Sequence, residues 1–177
     1  MDSNNAFMIE GIMAGDHYND KNVYLTDPFT DEIYAETVVK EKKFTFRFPD
    51  NALKIYKLVY KYSDKDYFPL TLPVVGGEGD VKVYMGGKVL TTGTPSNDAL
   101  QDFLIANDKK TEEMMNKTDL SIDEIKSEFK NFLAESIINN KDNIVSLYVL
   151  KSYKSKFSAE EVKSLLAQMK PEVAELY

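Results

Sequence analysis

The 177-residue chain has no cysteine and only one histidine. The first absence excludes a nucleophilic thiolate, Cys-x-x-Cys redox chemistry, thiolate metal ligation and a disulfide framework within these residues. The second reduces every Ser-His-Asp arrangement and every multi-histidine metal site to His17. That residue sits in Asp16-His17-Tyr18-Asn19-Asp20, which reads as an exposed turn. No run approaches the roughly 18 apolar residues of a membrane-spanning helix, so no transmembrane segment is expected. The polar start, Met-Asp-Ser-Asn-Asn, lacks the charged-then-apolar pattern of a signal peptide. A basic stripe is missing too. Net charge is -7, the pI is near 4.9 and the lysines are dispersed, which argues against nucleic acid or an anionic membrane as partner.

Motifs for phosphate and metal chemistry are also absent. Gly76-Gly77-Glu78-Gly79 is not followed by Gly-Lys-Ser/Thr, and Asp80 introduces a strand where a phosphate cradle requires a helix. Gly93 precedes a helix start whose free N–H groups offer either an anion site or a tight strand-to-helix turn with side-chain caps. Asp27, Asp31 and Glu32 cluster around Pro28 without the Asp-x-Asp-x-Asp-Gly pattern of a calcium loop. No catalytic residue, cofactor or metal is expected.

What is present is an ordinary globular balance, 43% hydrophobic and 29% charged, in a chain long enough to build its own core. The first half reads in period two. Phe7, Ile9 and Met13 share one face, as do Ile33, Ala35, Thr37 and Val39, and then Phe44, Phe46 and Phe48. Tyr56, Leu58, Tyr60 and Tyr62 repeat the pattern, followed by Phe68, Leu70, Leu72 and Val74. Pro69 and Pro73 mark this last run as an edge strand or bulge. Val81, Val83 and Met85, then Lys88 to Thr92, complete about eight strands. Near Thr94 the period lengthens. Leu100, Phe103, Leu104, Asn107, Thr111 and Met114 mark one helix face, and Ile122, Ile125, Phe129, Phe132, Leu133 and Ile137 another. Ser121 with Glu124, and Ser158 with Glu161, are capping boxes. Asn143 caps a short buried helix, Ile144 to Lys151, and Pro171 stops or restarts the last one. The expected fold is α+β: an antiparallel β-sandwich or open barrel (residues 1–95), then a helical part (96–177) packed with it as one unit.

The tyrosines are the most suggestive surface feature. Tyr56, Tyr60, Tyr62 and Tyr67 form either a row for a sugar or peptide ligand, or the core face of a strand.

The order of the pieces carries a resemblance. It runs from Phe7-Met8-Ile9-Glu10-Gly11 and Lys21-Asn22-Val23-Tyr24-Leu25-Thr26-Asp27 to Ala35-Glu36-Thr37-Val38-Val39 and Lys43-Phe44-Thr45-Phe46. Thr92-Gly93-Thr94-Pro95-Ser96-Asn97-Asp98-Ala99-Leu100, Asn143-Ile144-Val145-Ser146-Leu147-Tyr148-Val149-Leu150, Phe157-Ser158-Ala159-Glu160-Glu161 and Lys170-Pro171-Glu172-Val173 follow. Together they resemble the domain of unknown function in front of thioredoxin-like modules in exported thiol-disulfide interchange proteins of Bacteroidetes. The resemblance implies a β-rich domain with trailing helices on a periplasmic or envelope protein, secreted or lipid-anchored. A thioredoxin-like module with the redox cysteines would begin where this chain ends, at Tyr177. On that expectation the chain is a non-catalytic accessory module that docks a protein partner or self-associates. A sugar- or peptide-binding sandwich is the alternative.

Overall fold

A computed structural model describes residues 6–88 and 90–177. The polar start at residues 1–5 and Val89, inside the expected Lys88–Thr92 strand, lie outside the described residues. The chain divides into two compact units, Met1–Gln101 and Asp102–Tyr177. The division falls inside a helix, beyond the change of period near Thr94, for a reason given below.

The first unit holds β1 (Met8–Met13), β2 (Asn22–Thr26), β3 (Ile33–Val38), β4 (Lys43–Arg47), β5 (Lys54–Lys61), β6 (Leu70–Gly76), β7 (Val81–Met85) and β8 (Leu90–Thr92). They form two four-stranded sheets, ordered β4-β1-β7-β8 and β3-β2-β5-β6, which are not closed into a barrel. Six of these strands, β1, β2, β4, β5, β6 and β7, form because one face of each is apolar and buries. Ile9, Met13, Phe44, Phe46, Val81, Val83 and Met85 line the inside of the first sheet; Val23, Leu25, Tyr56, Leu58, Tyr60, Leu72 and Val74 line the inside of the second. Phe48 packs its ring 5.3 Å from Tyr56, joining the two inner faces. Gly11 is required where β1 passes under the Phe44 ring, because a Cβ there would lie 2.1 Å from that ring. Pairing is antiparallel throughout except between β1 and β7, which run parallel from Ile9↔Val81 to Met13↔Met85.

Two expected alternations are corrected. A bulge between Leu25 and Thr26 pairs Thr26 with Ile33 but Leu25 with Ala35, so Ile33 is carried to the outer face and left exposed. Phe68 does not share the inner face of Leu70, Leu72 and Val74. The Asp66 carboxylate accepts from Tyr62 N–H (3.2 Å) and Phe68 N–H (3.0 Å), holding a turn that puts Phe68 before the strand.

The helix α1 (Pro95–Asn116) begins in the first unit and continues into the second. Asn97, with no exposed surface, ties its first turn to both sheets. Its Nδ2 donates to Val75 O (2.8 Å) and Thr94 Oγ1 (2.7 Å); its Oδ1 accepts from Val75 N–H (2.8 Å) and Thr91 Oγ1 (3.0 Å). Gln101 Oε1 accepts from Thr91 N–H at 2.8 Å. These bonds explain why the compact first unit reaches to Gln101.

The second unit adds α2 (Ile122–Asn139), α3 (Val145–Ser152), α4 (Ala159–Gln168) and α5 (Pro171–Ala174). Both expected capping boxes are formed, Ser121 with Glu124 and Ser158 with Glu161. Asn143 Oδ1 accepts from Val145 N–H at 2.9 Å, and Pro171 opens α5. Phe103, Leu133, Ile137, Leu147, Val149, Leu150, Val162, Leu165 and Met169 supply the core. Ile122 and Thr111 depart from their expected stripes and are exposed. Ile122 stands in the first turn of α2, where the stripe overruns what there is to bury it. Tyr148 lies deep enough that burial pushes its phenol up to about 12.

Asn97→Ala leaves Val75 N–H, Val75 C=O and the Thr91 hydroxyl without the partner they share in a buried site. The expected cost is roughly 3 kcal/mol, since each unpaired buried group costs about 1–3 kcal/mol. Urea unfolding should show a lowered midpoint with an unchanged slope.

Candidate binding cleft

Period two gives β5 two unlike faces. Tyr56, Leu58 and Tyr60 point inward, while Lys57, Val59 and Lys61 point out with Tyr24 and Thr26 of β2 and Thr71 of β6. Register sets Tyr24, Val59 and Thr71 in one cross-strand row. With the bulged Ile33, and with Asp66 and Pro69 of the β5–β6 loop, these residues line a cleft of about 360 Å³.

The floor is mixed, apolar at Val59 and Ile33 and hydroxylic at Thr26 and Thr71. Thr26 Oγ1 is already used, donating to Lys57 O at 3.0 Å. Lys57 Nζ lies 2.8 Å from Asp31 Oδ1, and Lys61 Nζ stands 5.4 Å over the Tyr24 ring. Tyr67 and Phe68 are 87% and 93% exposed, neighbours in sequence to Asp66 and Pro69, and Tyr62 is also exposed. Such a surface offers the Tyr24 ring, hydroxyls and two charges of each sign (Lys57 and Lys61, Asp31 and Asp66), which suits a peptide or a sugar better than a single ion.

The four tyrosines do not form one row. Tyr56 and Tyr60 are 1% and 2% exposed and belong to the core, so neither presents a ring to a ligand. Tyr56 packs edge-on against Tyr34 at 5.6 Å, and Tyr60 against Tyr18 at 5.2 Å. Burial raises the pKa of both phenols. Tyr62 lies past the end of β5 and Tyr67 in the loop that follows, both exposed. Tyr24, Lys57, Val59 and Lys61 were missed, although the signal was present: an aromatic face buries first, which leaves the lysine-bearing face of the same strand for solvent.

Other residues singled out in the sequence have structural work. His17 lies exposed in a short 3₁₀ turn, Asp16–Tyr18, with its ring 4.0 Å from Tyr18. The anion position ahead of α1 is filled from within: Glu78 accepts from Ser96 N–H (3.0 Å) and Ser96 Oγ (2.7 Å). Asp98 accepts from Thr92 Oγ1 and Gly93 N–H, the side-chain-capped turn of the two readings. Among the described residues no group of three or more His, Asp or Glu side chains converges as a metal site would require. Asp27 and Asp31 serve separate contacts. Asp27 Oδ1 accepts from Phe29 and Thr30 N–H at 2.8 and 3.0 Å. Burial alone would raise its pKa, but these amides outweigh it and hold the carboxyl below its ordinary value.

Two measurements follow. The Tyr60 hydroxyl is buried and finds no partner among the described residues, so Tyr60→Phe should leave stability unchanged or raise it in urea unfolding. A carboxyl depressed in the fold stabilises it above the unfolded pKa, near 3.8 for Asp27, and ceases to as pH falls through the lower folded value. Asp27→Asn should therefore be less stable than the parent at about pH 6, with the gap closing by about pH 2.5. No protein-family model, curated protein or solved structure matches the chain, so what the cleft binds is argued from its own residues.

Proposed function

We propose that this chain is a non-catalytic docking module, accessory to a thioredoxin-like thiol-disulfide interchange module of the cell envelope. The observation that carries this reading is the ordered run of motifs from Phe7-Met8-Ile9-Glu10-Gly11 to Lys170-Pro171-Glu172-Val173, which spans most of the chain. A thiol-free sequence supports it, because redox exchange then has to come from elsewhere. The cleft on the outer face of the β3-β2-β5-β6 sheet supports a docking role. Its mixed floor of Val59, Ile33, Thr26 and Thr71, and the exposed Tyr67 and Phe68 of the same β5–β6 loop that gives it Asp66 and Pro69, suit an interface, where aromatic residues are enriched.

A second reading, a sandwich that binds a peptide or sugar for its own sake, is favoured by the exposure of Tyr62, Tyr67 and Phe68. The two readings differ in the partner and share the surface.

Titrating the chain with a reduced thioredoxin-like domain from an envelope thiol-disulfide interchange protein, followed by backbone NMR, separates them. Shifts at Ile33, Lys57 and Tyr67 to Thr71, and about a tenfold loss of affinity in Tyr67→Ser/Phe68→Ser, are expected. Binding to a peptide or glycan library with none to the thioredoxin-like domain would move the assignment to the second reading. Insulin-disulfide reduction by the chain alone would overturn both.

A further inference from the structure

The helical unit carries a second surface of different character. Two adjoining clefts, of about 800 and 490 Å³, share Ser155 in their walls. Lys151 and Lys154 line the first; Lys126, Lys130 and Lys156 line the second. Neither wall includes an Asp or Glu side chain, in a chain where acids outnumber bases 29 to 22.

The clustering follows from local structure. Lys126 and Lys130 stand four residues apart on α2, one above the other. The chain between α3 and α4 tightens into a 3₁₀ turn, Lys154–Lys156, closed by Lys156 N–H donating to Tyr153 O at 3.0 Å. Of the five, Lys130 is neutralised by both oxygens of Glu161, at 2.6 and 2.7 Å. Among the described residues Lys126, Lys154 and Lys156 make no ion pair. Lys154 instead stands 5.7 Å over the Tyr177 ring, and Lys156 5.6 Å over the Phe129 ring. Solvated lysines lying over rings are common enough on their own. What they do not explain is like charges gathered around two clefts whose walls hold no Asp or Glu side chain, with Glu161 pairing only Lys130, since gathering them costs repulsion.

We propose that this surface receives an acidic polypeptide segment of a partner protein. Charge complementarity supplies the sign. The walls supply the class: Phe157, Ala159 and Val162 give the larger cleft an apolar side that fits the carbon skeleton of a peptide and has nothing to offer a small anion. All five cations are lysines. Their flexible point charges can follow a chain of spaced carboxylates. The proposal is independent of the cleft on the β3-β2-β5-β6 sheet and stands or falls without it.

The test uses the full chain and a fluorescein-labelled oligopeptide alternating glutamate and leucine, followed by fluorescence anisotropy. Saturable binding that weakens steeply with salt is expected, with loss of at least tenfold in Lys154→Glu/Lys156→Glu. Both side chains are exposed, and circular dichroism of the variant should match the parent. Lys43→Glu, an exposed charge reversal on β4, should leave the affinity within twofold. Equal loss in both variants would mean a diffuse charge effect and overturn the proposal. So would tighter competition by inorganic phosphate than by the unlabelled peptide, or the absence of binding at low salt.

Discussion

One buried amide organises the first unit. Asn97 meets the N–H and the C=O of Val75 together, as a neighbouring strand would, and so extends the pairing of β6 with a side chain. In an antiparallel ladder alternate residues bond the same neighbour. Because Val75 turns its backbone groups toward α1, Thr71 and Pro73 share that orientation, and Pro73 has no N–H to offer. The edge of β6 is thereby closed to strand addition, by proline along its length and by Asn97 at its end. The same amide accepts from Thr91 of β8, so the start of α1 cannot shift without disturbing an edge strand of each sheet. The β6–β7 turn completes the arrangement. Asp80 accepts from Met8 N–H at 2.8 Å while Glu78 caps Ser96, so one short acidic loop holds the start of β1 and the start of α1.

Much of this is legible in the sequence. The alternating runs became strands, the change of period near Thr94 became α1, and both Ser-x-x-Glu pairs became capping boxes. The legible features are local: a side chain and its partner lie within a turn of each other, or one face repeats every second residue. What was illegible is what depends on partners distant in sequence. The parallel pairing of β1 with β7 leaves no trace in either strand. The bulge that throws Ile33 outward is a mismatch between two strands. Asn97 lies in a segment rich in capping residues, and only its neighbours at Val75 and Thr91 reveal that it spans sheets.

The tyrosines show the same division in a single strand. Alternation correctly placed Tyr56 and Tyr60 on one face of β5 but could not say which face was in. Packing decides it, because two large rings against Phe48, Tyr34 and Tyr18 bury far more area than Lys57 and Lys61 can. The candidate cleft therefore sits on the lysine face. Its ion pair is satisfied internally by Lys57 and Asp31. Specificity at the cleft then has to come from shape and ring contact. The lysines of the helical unit act through charge, over a longer range and with greater sensitivity to salt.

A module of this kind does not need a strong contact to be useful. A shallow cleft of about 360 Å³ with two exposed rings gains only a few kcal/mol, enough for weak binding between free proteins. For a partner carried on the same chain the requirement is lower. A short flexible connection raises the effective concentration of one module at the other to the millimolar range, so even weak affinity keeps the docked state populated. Weakness is then an advantage, because a redox module that is held too tightly cannot reach its clients. On the accessory reading, a thiol-free partner with a cleft on its second sheet and a separate cationic surface can position the redox module without competing for its chemistry.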